Sequence, residues 1–414
     1  MRRAGRGAGG PGRSTPSGSY RPASTVPGRA RGPRILIAPL NWGLGHAARC
    51  LPIAGALAGR GADVHWASDG AALALLRTER PDDIHHELPG YGVRHASASA
   101  IANGLRQLPG MLAGIRRERR AVAALHRDHA YDLIVSDHRY GCRATGVPSV
   151  LVCHQVHLPL ANPLVAVVPT AVHRALARRF DELAVPDWPP PRGLAGRMSR
   201  PLPGVPTRYL GPVSRFRKTD RPLRGGAPAS SAPELAVVLS GPEPARSRAE
   251  ALALLAVTDP ALAHLDPGGV VLARGLPGEA IAAATADERL LAAARGLGLV
   301  IHDFLPAGPL GDVLADARAL VVRPGYTTVM DLAALGRPAI YVPTPGQPEQ
   351  AVLAKALAAA GRGVDLAERD LPRGLAGALS RLRSLPRERA SGEAREPDRL
   401  AAWADDIVAR CRSR

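Results

Sequence analysis

One stretch in the second half of the sequence combines a glycine turn with hydroxyl and carboxylate side chains at helical spacing. In RPGYTTVMD, Gly325 would let a ligand approach the backbone closely. The first helix amides, from Tyr326 to the hydroxyl-bearing Thr327 and Thr328, would lie at the positive end of the helix dipole and could bind a diphosphate. Asp331 follows on the same helix face, where its carboxylate could accept hydrogen bonds from ribose hydroxyls.

A loop further along gathers amide and acid side chains. Gly346, Gln347, Glu349 and Gln350 could together hold several sugar hydroxyls. Phosphate, ribose and sugar groups would then bind in chain order, which indicates a nucleotide-sugar pocket. The simpler alternative is that Thr327 only caps a helix and that the nearby acid is solvated.

The elements around these residues form a predicted βαβ unit. Residues 320–322 are a short apolar run typical of a buried strand, and a helical pattern begins at Thr327 and ends at Gly336. A second apolar run follows at residues 339–342. Strand, glycine turn, helix and strand in this order place the diphosphate and sugar residues at one sheet edge.

The first half opens with a similar pattern. A strand at residues 34–38 is followed by a glycine loop, a helix at about residues 47–60 and a strand at residues 62–67. The loop contains G-x-G-x-x-A, with Asp69 about 20 residues later, so NAD(P)-dependent oxidoreduction is one possible function of this Gly43–Ala48 loop.

The 320–350 stretch resembles the donor half of inverting GT-B glycosyltransferases, and glycosyltransferase family 28 in particular. In that family a segment (R/S)-G-(x)3–5-(E/D) binds diphosphate and ribose, and Asp331 stands where Glu is usual. A Gly-His loop faces the acceptor, and the resemblance gives the role of general base to His46. It also places Asn41, Gly43 and Gly45 on the acceptor side.

A strand ending in Ser-Asp is a second source of acceptor-side residues. Residues 131–137 end in Asp137, at the edge where α/β proteins bind ligands, and Arg139 follows. Asp137 could be the base itself, or it could orient His46. On the donor side, the resemblance implies that Ser240 and Gly241 form a second glycine loop.

Two further donor residues follow from the resemblance. Phe304 and Leu305 stand where family members hold uracil through backbone groups. No metal is required in principle, because the helix dipole and basic residues can neutralise the diphosphate. No cofactor is expected beyond the UDP-sugar co-substrate.

The composition limits the other functions. The net charge of +18 is almost entirely due to arginine, and only 3% of residues are aromatic, so the stacking platforms of nucleic-acid binding are not expected. Four widely spaced cysteines form no CxxC pair, which favours a reduced, cytoplasmic protein. The neighbouring His85 and His86 would point in different directions and indicate no metal site.

Composition also divides the chain. The predicted organisation is a disordered tail (1–33), an acceptor-side Rossmann-like domain (34–216), a linker (217–233), a nucleotide-sugar domain (234–385) and a C-terminal helix (386–414) that could pack back on the first domain. The predicted fold is α/β, of the GT-B type, with two Rossmann-like domains whose parallel sheets face a central cleft.

The predicted function is inverting transfer of a sugar, with N-acetylglucosamine as one candidate, from a UDP-sugar to an unknown hydroxyl acceptor. That acceptor could be a small molecule, a glycan or a lipid-linked compound, with peripheral contact at the inner face of the membrane. The alternatives are a nucleotide-sugar 2-epimerase, the oxidoreductase described above, and a sensor that binds the nucleotide sugar without turnover.

Overall fold

The computed structural model describes residues 32–42, 44–91, 100–157, 163–216, 232–241, 243–262, 265, 269–276, 287–385 and 398–413. Residues 1–31 of the predicted tail and residues 217–231 of the predicted linker therefore lie outside the described residues, as does Gly43.

The first half is built on a sheet of seven parallel strands. Their order is β3-β2-β1-β4-β5-β6-β7. The strands are β1 (Arg34–Pro39), β2 (Asp63–Ser68), β3 (Ile84–Glu87), β4 (Leu133–Asp137), β5 (Ser149–Val152), β6 (Glu182–Val185) and β7 (Thr207–Tyr209). The central strands are continuous apolar runs because helices cover both of their faces.

Helices of the first half lie on the two faces of this sheet. They are α1 (Leu44–Ala58), α2 (Gly70–Glu79), α3 (Ala100–His129) and α4 (Pro163–Ala177), with a 3-10 turn at Gly196–Ser199. Ile35 and Ile37 of β1 face the core under α1. Leu36 and Ala38, with the opposite parity, face the core that includes Val122 of α3.

The second half repeats this plan with six parallel strands in the order β10-β9-β8-β11-β12-β13. The strands are β8 (Leu235–Val238), β9 (Val270–Ala273), β10 (Val300–His302), β11 (Ala319–Val322), β12 (Ala339–Tyr341) and β13 (Gly363–Asp365). The helices are α5 (Ala245–Val257), α6 (Glu288–Gly296), α7 (Ala307–Asp316), α8 (Tyr326–Leu335), α9 (Pro348–Ala359) and α10 (Leu371–Ser384), with 3-10 turns at Pro260–Leu262 and Glu368–Asp370.

The last helix, α11 (Arg399–Arg412), packs on the first half. Its apolar face, which includes Trp403 and Ile407, joins the core under α1. The Trp403 Nε1–H donates to Glu182 Oε1 of β6 at 2.8 Å, and Arg60 pairs with Asp405.

Two parallel sheets flanked by helices confirm the predicted α/β fold class. Strands β3, β6, β7 and β13, which were not predicted, are short. Three of them form sheet edges, where few neighbours require a long apolar run.

Candidate active site

The first sheet brings His46 and Asp137 together at the point where its strand order reverses. His46 lies in the first turn of α1, directly after β1, and Asp137 is the last residue of β4. The two strands are neighbours, and Asp137 pairs in register with Pro39. Ligands of open α/β sheets bind at such a reversal, beyond the carboxyl ends of the strands.

The Asp137 carboxylate is completely buried and its oxygens are all engaged. Arg49 donates to Oδ2 from Nε at 2.6 Å and to Oδ1 from Nη2 at 2.5 Å. Oδ1 also lies 2.8 Å from His138 Nδ1 and 3.1 Å from His46 Nδ1, and the Cys50 thiol donates to Oδ2. Burial would raise the pKa of this carboxyl, but the charge of Arg49 outweighs it and holds the pKa well below its usual range. Asp137 is therefore an anion that orients its neighbours.

His46 is the most accessible member of this cluster, with 14% of its side chain exposed, compared with 11% for His138. Burial, followed by the charge of Arg49, lowers its pKa to about 4, so its imidazole is neutral near pH 7. Its Nδ1 is 2.5 Å from Arg49 Nη2 and 3.1 Å from Asp137 Oδ1. The Arg49 contact requires an Nδ1 without a proton, whereas the Asp137 contact requires a protonated Nδ1. In the tautomer that donates to Asp137, Nε2 is left as a proton acceptor.

His138 and Cys153 form a second pair behind Asp137. The Cys153 sulfur lies 3.5 Å from His138 Nε2. Burial would lower the pKa of His138, but the neighbouring Cys153 and Asp137 raise it to about 9. Near pH 7, His138 therefore adds positive charge to the cluster, while His46 does not.

Residues of the second half close onto this cluster. His154 Nε2 lies 3.3 Å from Glu349 Oε1, and the Gln155 amide also donates to Glu349. The His154 and Tyr326 rings have centroids 4.1 Å apart. Arg49 Nη1 lies 3.1 Å from His154 Nδ1 and so connects the Asp137 cluster to this contact.

The N-terminus of α8 lies against the turn that carries His46. The Thr327 hydroxyl donates to the Gly45 carbonyl at 3.2 Å. A Cβ at position 45 would lie 2.8 Å from Thr327 Oγ1, so a larger residue there would displace the Thr327 side chain. The Tyr326 hydroxyl donates to the Pro186 carbonyl at 2.8 Å. The first amides of α8, which have no acceptor inside the helix, thus lie next to the His46 turn.

Several of the predicted donor residues are accessible. Ser240, Gly241, Gly346 and Gln347 are exposed, as is 42% of Phe304. Two others are occupied in structural contacts. Leu305 is buried, and Gln350 Oε1 accepts a hydrogen bond from the Thr344 amide at 2.8 Å.

Asp331 contacts a residue of the first half. Its side chain is buried, and its Oδ1 accepts a 2.6 Å hydrogen bond from the Ser214 hydroxyl. Burial raises its pKa to about 6. The short Asp side chain is thus held against the first half, and the ribose-binding role that the resemblance implied stays a prediction.

Arg139 also differs from the expectation. It is completely buried, and its guanidinium donates to Glu118, to Asp69 Oδ1 at 2.5 Å and to the Pro89 carbonyl at 3.1 Å. Arg139 therefore holds the first domain together and does not face an acceptor. Asn41 likewise donates to Asp69 Oδ2 at 3.2 Å, and its Oδ1 accepts from an amide of α2.

These contacts also bear on the dinucleotide alternative. A dinucleotide site would use Asp69 to bind a ribose hydroxyl. Both Asp69 oxygens are already engaged, by Arg139 and by Asn41. The geometry therefore disfavours NAD(P) binding at this loop.

Sequence reasoning missed Arg49, His138, His154 and Gln155. Arg49 is three residues after His46 in a helix and shares its face, a spacing that could have identified it. The other three follow the ends of β4 and β5, at the same sheet edge as Asp137.

Arg323, in the RPG turn, is a buried cation close to the N-terminus of α8. Its Nη2 donates to the Ala245 carbonyl at 2.7 Å and to Glu368 at 2.8 Å. Its Nε and Nη1 are buried without a hydrogen-bond partner among the described residues. Such orphaned donors carry a desolvation cost that an anion could remove.

Comparisons with known proteins concern the fold and the second half of the chain. Residues 300–403 match the glycosyltransferase family 28 C-terminal domain. Similar solved structures include the glycotransferase of kitacinnamycin (18% identity, 92% of this chain and 100% of that chain covered, TM-score 0.63) and a UDP-glucosyltransferase from Polygonum tinctorium (15%, 93% and 100%, 0.62). A third is Acinetobacter baumannii MurG, with 13% identity, 91% of this chain and 100% of that chain covered, and a TM-score of 0.53.

Fold and matched domain together define the class, that of GT-B transferases. The chain has the GT-B fold of these transferases, and its residues 300–403 match the family 28 C-terminal domain. Among the described helices, none has the length and apolar character needed to cross a membrane.

Proposed function

We propose that the protein is an inverting, metal-independent glycosyltransferase that moves a sugar from a UDP-sugar to a hydroxyl acceptor. His46 Nε2 takes the proton of the acceptor hydroxyl, whose oxygen then bonds to the anomeric carbon as the bond to the diphosphate breaks. UDP leaves on the opposite face, towards the N-terminus of α8. Asp137 stabilises the imidazolium that forms on His46.

One observation carries this proposal: the partly accessible His46 imidazole, with the Asp137 anion behind it, lies beside the N-terminus of α8. The contact between Thr327 Oγ1 and the Gly45 carbonyl joins the two elements. A base and a diphosphate site on opposite sides of one cleft are what an in-line displacement with inversion requires.

The leaving diphosphate would be stabilised by helix amides and by Arg323. The N–H groups of Tyr326, Thr327 and Thr328 would donate to it, and the unpaired donors of Arg323 would be a second source of positive charge. A metal ion beside Asp137 would be repelled, because Arg49 already holds both carboxylate oxygens. Fixed protein charge thus replaces the cation.

The donor would bind along the exposed edge of the second half. Gln347 and the Gly346 turn would hold the sugar, for which N-acetylglucosamine is the first candidate, and Phe304 would lie at the base. A uridine diphosphate donor is also suggested by two neighbours, one named a UDP-glucosyltransferase and the other solved with UDP-L-rhamnose.

The acceptor side carries exposed apolar side chains. Trp42, next to the His46 turn, is 44% exposed, and Val167 of α4 is 61% exposed. An acceptor with an apolar part, free or lipid-linked, would fit this side. A cytoplasmic enzyme in peripheral contact with the inner face of the membrane is the corresponding proposal for its location.

The test begins with thermal unfolding in the presence of UDP, UDP-N-acetylglucosamine, UDP-glucose and NAD. A ligand at 100 times its dissociation constant stabilises the native state by about 2.7 kcal/mol. Stabilisation by uridine compounds alone is expected, and stabilisation by NAD alone would refute the proposal.

The second step is an acceptor screen that measures UDP release and glycoside formation. His46→Ala should retain the donor-induced stabilisation and lose transfer. His85→Ala, in β3, serves as the matched control. Epimerised sugar formed without any acceptor would identify the protein as a 2-epimerase, and binding without turnover would identify a sensor.

A further inference from the structure

A cluster of three histidines lies in the first domain, away from the cleft. His65 of β2, His86 of β3 and His129 at the end of α3 each offer one ring nitrogen, and these three atoms lie within 4.8 Å of one another. His65 and His86 share the sheet face that α3 covers, since Leu36, which pairs with His65, packs in the core beneath α3.

The spacing of the rings matches metal coordination. Three imidazoles bound to one tetrahedral zinc ion at about 2.05 Å would have ring centroids about 5.2 Å apart. The observed separations are 5.8 Å (His65–His86), 5.3 Å (His65–His129) and 4.8 Å (His86–His129). Rotations of the half-buried His86 and His129 would bring the nitrogens from this arrangement to ligand distance.

The orientation of His65 is a second, independent observation. Its Nδ1 faces the cluster, where the Tyr131 hydroxyl lies 3.0 Å from it and 3.0 Å from His86 Nε2. Its Nε2 is buried and makes no hydrogen bond of good geometry, but it points at Asp63 Oδ2, 3.5 Å away. A ring with one nitrogen towards the metal and the other towards a carboxylate is the usual arrangement of a ligating histidine.

The groups around this cluster differ from those at the cleft. His46, Asp137 and His138 meet the same distance criterion, but the Arg49 guanidinium contacts all three and occupies their centre. At the three-histidine cluster, Arg34 instead donates outward, to Asp63 and to the His129 carbonyl.

We propose that His65, His86 and His129 form a binding site for a divalent transition-metal ion, with zinc the best match. Imidazole nitrogen suits zinc, cobalt and copper, and three such ligands leave a fourth position for a small oxygen ligand. His65 lies in the middle of β2, and His129 precedes the amino end of β4, whereas Asp137 lies at the carboxyl end of β4. The site is therefore separate from the candidate active site, and its role is structural. It fixes the end of the 30-residue helix α3 to strands β2 and β3.

The test is a titration of the full, chelator-treated chain with CoCl2, followed by displacement with ZnCl2. We expect one cobalt ion per chain, with the visible absorption of a tetrahedral site, and loss of that band on addition of zinc. His86→Ala and His129→Ala should weaken binding at least tenfold, and Asp63→Asn about tenfold. His46→Ala and the neighbouring His85→Ala should bind like the wild type.

Circular dichroism must show that each variant is folded. Cobalt binding is measured separately for His86→Ala and for His129→Ala, so that one folded variant is sufficient for the test. The proposal would be overturned if the folded wild-type chain showed no saturable cobalt binding up to about 100 μM. That concentration is about 100 times a micromolar dissociation constant. Binding that survives both histidine variants would also overturn it, as would binding that is lost in His46→Ala, which would assign the ion to the cleft.

Discussion

Asp331→Asn should change how the stability of the protein depends on pH. Asp331 is a residue of α8, and its carboxyl is buried against Ser214. Burial raises its pKa from 3.8 to about 6. As pH rises, the unfolded chain loses this proton before the folded protein does. The carboxyl therefore destabilises the fold progressively from about pH 4, and the penalty is complete above about pH 6.

The size of the effect follows from the pKa difference. A pKa unit corresponds to 1.36 kcal/mol, so the full penalty near pH 7 is about 3 kcal/mol. At pH 5 the folded protein still holds most of its proton, and the penalty is about half as large. The wild type should thus lose about 1 kcal/mol relative to Asp331→Asn between pH 5 and pH 7.

The assay is urea unfolding of both proteins at several pH values from 5 to 8, with free energies from linear extrapolation. The exposed Asp316→Asn on α7 is the matched control and should show no such trend. The reasoning would be refuted if the difference in unfolding free energy between Asp331→Asn and the wild type did not change with pH. It would also be refuted if the wild type gained stability relative to Asp331→Asn as pH rises.

The same variant tests the ribose assignment. Because Ser214 already binds the Asp331 carboxylate, we expect the dissociation constant for UDP to change less than about threefold, under 1 kcal/mol. A loss of more than about tenfold would instead show that Asp331 turns towards the ribose in the complex.

The remaining predictions concern the base, the contact between the halves and the last helix. His46→Ala should lower the transfer rate about 10²- to 10⁴-fold. Because the pKa of His46 is about 4, the wild-type transfer rate should not fall between pH 8 and pH 6, and such a fall would contradict the neutral imidazole. Gly45→Ala should destabilise the protein by about 1–3 kcal/mol through its clash with Thr327, and Thr327→Ala should relieve that loss in a double-mutant cycle. Trp403→Ala should lower the unfolding free energy by about 3–5 kcal/mol, and Glu182→Gln by less, as measured by denaturation. If Trp403→Ala is as stable as the wild type, α11 is not part of the first core.

The sequence was sufficient for the fold because parallel strands buried on both faces give unmistakable apolar runs. Residues 34–38 and 320–322 are such runs, and each is followed by a glycine turn and a helix. The edge strands were missed because β3 carries His85 and His86 in place of a continuous apolar run.

The site was predictable only where the chemistry is local. Gly45, His46 and Thr327 stand in recognisable turns, and the structure brings those turns into contact. The fates of Asp331 and Arg139 depend on Ser214 and Glu118, partners more than 20 residues away in the chain. No spacing rule could show that those partners would bury the two charged groups.

The position of α11 has a consequence for how this protein is made. The core around α1 is completed by Leu400, Trp403, Ala404, Ile407 and Val408, which are synthesised after the whole second half. While the ribosome is still translating the second half, the first half is therefore exposed as an incomplete folding unit. Its apolar groove would remain available to chaperones until α11 has been synthesised.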